Sequence, residues 1–187
     1  MNSLALSSLS LIPAYATPLL LGEISIHPER KAVSFEVDIK HRDRAIEYIL
    51  VGEQGKLHET LFSSDVDIIQ LNAALQLLEL TPGTPVIVKA SWHLFGEDHE
   101  EMINHWFEYD DQEIPPPVIR WVYTGSQFSN EGEFLAAKEE NLISIQEDAN
   151  ALISFSGTGN ENANYWIALT KQIPLVDSLT LIIEKPL

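Results

Sequence analysis

The 187-residue chain contains no cysteine. Disulfides, thiolate-bound zinc, iron–sulfur clusters and cysteine nucleophiles are therefore all excluded. Basic residues are also scarce: 11 Lys and Arg stand against 28 Asp and Glu, a formal charge of −17. A field of that sign repels phosphate backbones and anionic headgroups, and no basic strip interleaved with aromatics offsets it, so nucleic-acid binding is not expected. No apolar run is long enough to span a bilayer as a helix. What remains is ordinary globular material, 45% hydrophobic, in a chain long enough to build a core without covalent or metallic staples.

The N-terminal segment is read apart from the rest. Residues 4–12 form a short apolar and serine-rich run, and Ala14-Tyr15-Ala16 after Pro13 fits the small-x-small pattern of a signal-peptidase site. No Lys or Arg precedes the run, so the usual positive start of an export signal is missing. Residues 1–17 are set aside as an export signal or a disordered segment, and 18–187 as one globular domain.

Along that domain, alternation dominates. Val33, Phe35, Val37 and Ile39 alternate with Ser34, Glu36, Asp38 and Lys40, which gives a strand with one buried face. His27-Pro28-Glu29-Arg30 joins it to a strand at 21–26, proline supplying the φ of a tight turn. Segments 46–51 and 57–62, linked by Gly52-Glu53-Gln54-Gly55-Lys56, read as a second hairpin with a longer loop. Ile68, Leu71, Leu75 and Leu78 recur at helical spacing behind Asp67 or Asp65, either able to cap the N-terminus, and Thr81-Pro82-Gly83 closes the segment. Residues 85–92 form a strand, 93–101 an acidic loop and 102–109 a strand. Pro115, Pro116 and Pro117 remove three backbone donors and keep 110–117 out of a sheet interior. Further short strands are expected at 118–123, 142–146, 151–155, 166–169 and 179–184. About ten strands and one main helix (about residues 67–80) predict an α+β, mostly β domain. The expected architecture is a curved antiparallel-rich sheet, or two packed sheets, with the helix over one face.

Three clusters carry potential chemistry. Lys56, His58 and Thr60 surround a glycine turn and suit a small anion or a peptide carboxylate. On a strand, His58 and Thr60 would share a face and Glu59 would point away. Trp121 and Tyr123 share one face of their strand, and Thr124, Ser126 and the turn amides form a hydrogen-bonding rim beside that aromatic wall. His93, His99 and His105 recur every six residues among Glu97, Asp98, Glu100 and Glu101, a donor set suited to zinc, manganese or iron, although the spacing matches no H-E-x-x-H helix. Ser156-Gly157-Thr158-Gly159 lacks the Gly-Lys-Ser/Thr of a phosphate loop.

The Gly55-Lys56-x-His58-Glu59-Thr60 and Trp121-x-Tyr123-Thr124-Gly125-Ser126 stretches, with Gly22 to Pro28, Ile46-Glu47-Tyr48, the helix ending Leu77-Leu78-x-Leu80, Pro82-Gly83-Thr84-Pro85-Val86 and Ile173-Pro174, follow the order of features in the YdjY-like domain family. The resemblance runs from about residue 20 to the end. It implies an exported, periplasmic protein, with a cytoplasmic one as the alternative, and supplies no catalytic residues. Some relatives are associated with ferredoxin-like segments, but a chain without cysteine has no cluster of its own, and no cofactor is expected. The function expected is a binding or interaction module of the bacterial cell envelope, for a protein or small-molecule partner, built on Lys56, His58, Thr60, Trp121, Thr124 and Ser126. The alternative is a metal-dependent hydrolase or metal-binding protein using His93, His99 and His105.

Overall fold

The computed structural model describes residues 17–109, 121–156, 166–168 and 172–186. The 1–16 segment, the proline run and the 157–162 loop lie outside the described residues. Thirteen strands are present among the described residues: β1 (Leu19–Leu21), β2 (Ile24–His27), β3 (Ala32–Ile39), β4 (Tyr48–Gly52), β5 (Thr60–Ser64), β6 (Thr84–Leu94), β7 (Glu97–Met102), β8 (Phe107–Tyr109), β9 (Trp121–Tyr123), β10 (Asn141–Ser144), β11 (Ile153–Phe155), β12 (Trp166–Ala168) and β13 (Ser178–Glu184). Two helices accompany them, α1 (Ile68–Leu77) and the five-residue α2 (Leu135–Glu139).

The sheet is neither open nor split into layers. Its strands run β3, β13, β6, β9, β11, β10, β4, β5, and β5 then pairs back onto β3, so eight strands close a barrel. This overturns the curved-sheet and packed-sheet architectures expected from the sequence, and makes the fold mostly β with one substantial helix. The closure is carried by a short seam, Asp38 opposite Ser63 and Ile39 opposite Phe62. Lys40 N donates to Leu61 O at 2.8 Å just beyond the ladder, and Ser64 Oγ donates to Glu36 O at 2.8 Å.

The seam is short because β3 forks. Its first residues pair with β2, its last with β5, while β13 runs along its whole other edge. The same happens at β6, which takes β9 at Thr84–Val86 and β7 from Lys89 onward. β1, β2 and β7 therefore extend two barrel strands outward. β8 and β12 form a separate two-stranded ribbon.

Two neighbouring pairs are parallel, β4 with β5 and β10 with β11. The glycine-bearing connection after β4 is thus not a hairpin loop. It returns the chain to the start of β5, and residues 57–59 form a 3-10 turn instead of the expected strand. The expected acidic loop is also strand. β6 continues to Leu94 and turns through Phe95 and Gly96, both at positive φ (53° and 85°), into β7. Two central residues at positive φ match the right-handed twist of a two-residue hairpin.

The α1 helix follows its pattern closely. Asp67 Oδ1 accepts from Ile69 N and Gln70 N, each at 2.9 Å, which satisfies two otherwise orphaned amides. Ile68, Leu71, Ala74, Leu75 and Leu78 are buried against the β2 and β3 side. The barrel interior is filled by side chains, as eight strands allow: Phe35, Leu50, Phe62, Val88, Trp106, Trp121, Phe155 and Leu181 are all at most 3% exposed.

Candidate functional site

The two motif stretches, some 65 residues apart in the chain, are stitched together in space. Gly52 N donates to Glu140 O at 2.9 Å, and Gln54 N to Glu140 Oε2 at 2.6 Å, which ties the glycine loop to the end of α2. A side chain at Gly55 would put its Cβ 2.9 Å from Val51 Cβ and 3.0 Å from Glu140 O, so this approach requires glycine. At the other end of α2, Ala136 N donates to Ser126 Oγ at 2.9 Å and Leu135 N to Gln127 O at 2.9 Å. Helix α2 is the clasp between the motifs.

The 145–152 connection completes the arrangement. Thr124 Oγ1 donates to Ala151 O and Ser126 Oγ to Asn150 O, both at 2.5 Å. Asp148 accepts from Asn141 Nδ2 at 2.6 Å and from Asn150 N at 2.8 Å, and Asn150 Nδ2 reaches Glu139 Oε1 at 3.0 Å. Two clefts flank this loop and share Asp148. The one beside Thr124 and Ser126 has a volume of about 230 Å³. The other, of about 300 Å³, is lined by Tyr48, Val51, Lys56, Glu139, Asn141 and Asp148.

Lys56 is the cation of the second cleft. Its Nζ donates to Tyr48 Oη at 2.7 Å and lies 4.9 Å from the Tyr48 ring centroid. That hydrogen bond, opposed by slight desolvation, and the nearby Glu59 and Glu47 carboxylates hold the ammonium above the ordinary lysine value. Asn141 is 5% exposed, and its Oδ1 has no hydrogen-bond partner. A buried acceptor left without a donor costs about 1–3 kcal/mol.

The other residues singled out in the sequence divide sharply. Trp121 is buried at 1% exposure, with Nε1 donating to Asn104 Oδ1 at 2.9 Å and its ring edge-on to Phe155. Tyr123 shares that buried face and donates to Asn72 Oδ1 on α1 at 2.6 Å; burial raises its hydroxyl above the usual tyrosine value. Thr60 is wholly buried and donates to Phe62 O at 2.9 Å. The hydroxyls of Thr60, Thr124 and Ser126 are thus committed to backbone carbonyls. His58 is exposed, and the 3-10 turn brings its Nε2 3.0 Å from Glu59 Oε1, a pairing that a strand would have forbidden. Of the six residues nominated from sequence, Lys56 lines the larger cleft, and Thr124 and Ser126 line the smaller.

The three histidines of the acidic hairpin are dispersed. Cross-strand register sets His99 opposite Trp92, on whose ring it stacks at 5.2 Å, and His93 opposite Asp98, which puts the two imidazoles on opposite faces of the ribbon. His93 Nδ1 lies 2.7 Å from Asp98 Oδ1, and His105 Nδ1 3.1 Å from Glu101 Oε1. Among the described residues no three His, Asp or Glu side chains converge to hold a metal ion.

Tyr48, Asn141 and Asp148 are not among the site residues that the sequence nominates. Tyr48 belongs to the Ile46-Glu47-Tyr48 stretch of the resemblance but carries no site role there, and nothing in the linear order marks Asn141 and Asp148 as partners. No helix among the described residues is long and apolar enough to cross a membrane. Compared with protein-family models, curated proteins and solved structures, the chain matches none of them.

Proposed function

We propose that this chain is a binding module that takes a small polar ligand in the cleft beside Lys56. The observation that carries the reading is the convergence of the two motif turns: α2 and the 145–152 loop clamp both around neighbouring clefts that share Asp148. A concave site with a few convergent polar groups is the usual form of a ligand pocket. The cleft is small, so a ligand or the end of a peptide suits it better than the face of a folded partner.

Nothing comparable supports the metal-hydrolase alternative, since among the described residues the three histidines do not converge with one another, or with carboxylates in any group of three. An envelope location is supported only by the resemblance to YdjY-like domains; fractionation of the native cells tests it, and recovery in the cytoplasmic fraction alone would refute it.

The test is a thermal-shift screen of amino acids, peptides and sugars on the wild-type chain and on Lys56→Met. A ligand at a hundred times its Kd adds about 2.7 kcal/mol, a rise of roughly 5–10 °C for a chain of this size. The reading predicts such a rise in the wild type and its loss in the variant. No stabilising compound, or equal stabilisation of both proteins, refutes it.

A further inference from the structure

Resting on that reading, we infer that the ligand is a zwitterion, a free amino acid or the end of a short peptide. Its carboxylate meets Lys56 and Tyr48, and its ammonium meets Asp148 and Glu139. The cleft's lining holds charges of both signs: one ammonium, from Lys56, and two carboxylates, from Glu139 and Asp148. A simple anion entering here must cross the field of a chain at −17. A simple cation must sit beside Lys56. A ligand that carries both signs and no net charge escapes the first penalty, and by matching each group to its opposite it escapes the second.

The polar groups fit the same assignment. The Lys56 ammonium and the Tyr48 hydroxyl lie 2.7 Å apart and can donate together to the two oxygens of a carboxylate. On the other side, Asn141 and the Asn150 amide fix the Asp148 carboxylate through bonds of 2.6 and 2.8 Å. Each carboxylate oxygen keeps a lone pair for a further donor. Asn141, 5% exposed, lines the cleft beside the Asp148 carboxylate that it holds. An ammonium brings three donors, enough to meet both Asp148 and Glu139. Val51 supplies an apolar wall for a side chain.

The experiment is isothermal titration of the full chain at low ionic strength with three probes: L-alanyl-L-alanine, its N-acetyl derivative and its C-terminal amide. The uncapped dipeptide is expected to bind. Each capped form is expected to bind at least roughly tenfold more weakly, the factor that about 1.4 kcal/mol supplies. Lys56→Met should erase the difference between the dipeptide and its amide. Glu139→Gln and Asp148→Asn should each shrink the difference between the dipeptide and its N-acetyl form. Should Asp148→Asn unfold through loss of its tie to Asn141, Glu139→Gln decides, because Glu139 is exposed. Either capped probe binding as tightly as the dipeptide overturns the inference. So does the absence of heat from all three. If that absence coincides with a screened compound that stabilises the wild type and not Lys56→Met, the zwitterion assignment falls and the binding module stands. If no compound stabilises the chain, both fall.

Discussion

Replacing Phe62 by alanine tests the barrel where it is thinnest. Phe62 sits on β5 at the two-pair seam with β3, fully buried, and its ring meets Trp106 edge-on at 6.1 Å and 65°. Trp106 in turn meets Trp92 at 5.8 Å, so an aromatic chain runs from the seam into the middle of the β6–β7 hairpin. Removing a buried phenyl ring costs about 3–5 kcal/mol, and of that about 0.5–1.5 kcal/mol belongs to the pairing with Trp106. Against a total stability of about 5–15 kcal/mol this is a large fraction. The melting temperature should fall by roughly 6–20 °C. Urea titrations of wild type, Phe62→Ala, Trp106→Leu and the double variant give both numbers, provided the slope is unchanged. The single variant should lose at least about 3 kcal/mol, and the cycle should show a coupling of about 0.5 kcal/mol or more. A loss below about 1 kcal/mol would mean that β5 is a loosely packed free edge, and closure through this seam would be refuted.

Three further outcomes follow from the same packing. Asp67→Ala removes the acceptor of two helix amides and should cost about 1 kcal/mol, a fall of roughly 2–4 °C in melting temperature; no change would show that α1 does not depend on its cap. Trp121→Leu should destabilise by about 2–4 kcal/mol through lost packing and an orphaned Asn104, whereas His58→Ala should stay within about 0.5 kcal/mol; the reverse order in denaturant titrations would refute the placement of the two residues. Burial pushes the Glu100 carboxyl up, but hydrogen bonds from Lys89 and Arg30, each 3.2 Å long, leave it lowered overall. Its contribution is therefore present above the ordinary carboxylate pKa and lost as pH falls through the lowered one. Glu100→Gln should lower stability slightly at pH 7, by no more than about 1 kcal/mol for so exposed a pair, and not at pH 2; an equal deficit at both pH values would show that charge is not the cause.

Where local signals suffice, the fold is legible in the sequence. The α1 stripe and its Asp67 cap, the β2–β3 hairpin through Pro28, and the shared buried face of Trp121 and Tyr123 all depend on neighbours within a few residues. The errors arise where distant segments decide. A glycine-bearing loop after β4 fits a hairpin as well as a return to a parallel partner, and among the contacts that hold it in the second path are those to Glu140, some 90 residues on. The acidic hairpin looks like a loop in the sequence because β7, Glu97–Met102, faces solvent and has no apolar alternation; the one local clue is Phe95-Gly96, a two-residue turn without the usual Asn or Asp. Barrel closure rests on two residue pairs, too few to leave a mark in any pattern. The site follows the same rule. Lys56 was visible beside its glycine turn, while Asn141 and Asp148 acquire meaning only when the 145–152 loop folds back across β10.

The closed barrel is tested most directly by a disulfide across its seam, in a chain that has no other cysteine to interfere. Asp38 and Ser63 are facing partners of an antiparallel pair, within the separation a disulfide spans. The Asp38→Cys/Ser63→Cys variant should oxidise to a single intramolecular bridge, with no free thiol, and gain up to about 3.5 kcal/mol from closing that loop. Two titratable thiols after oxidation, or a bridge that forms only between molecules, would contradict the closed barrel.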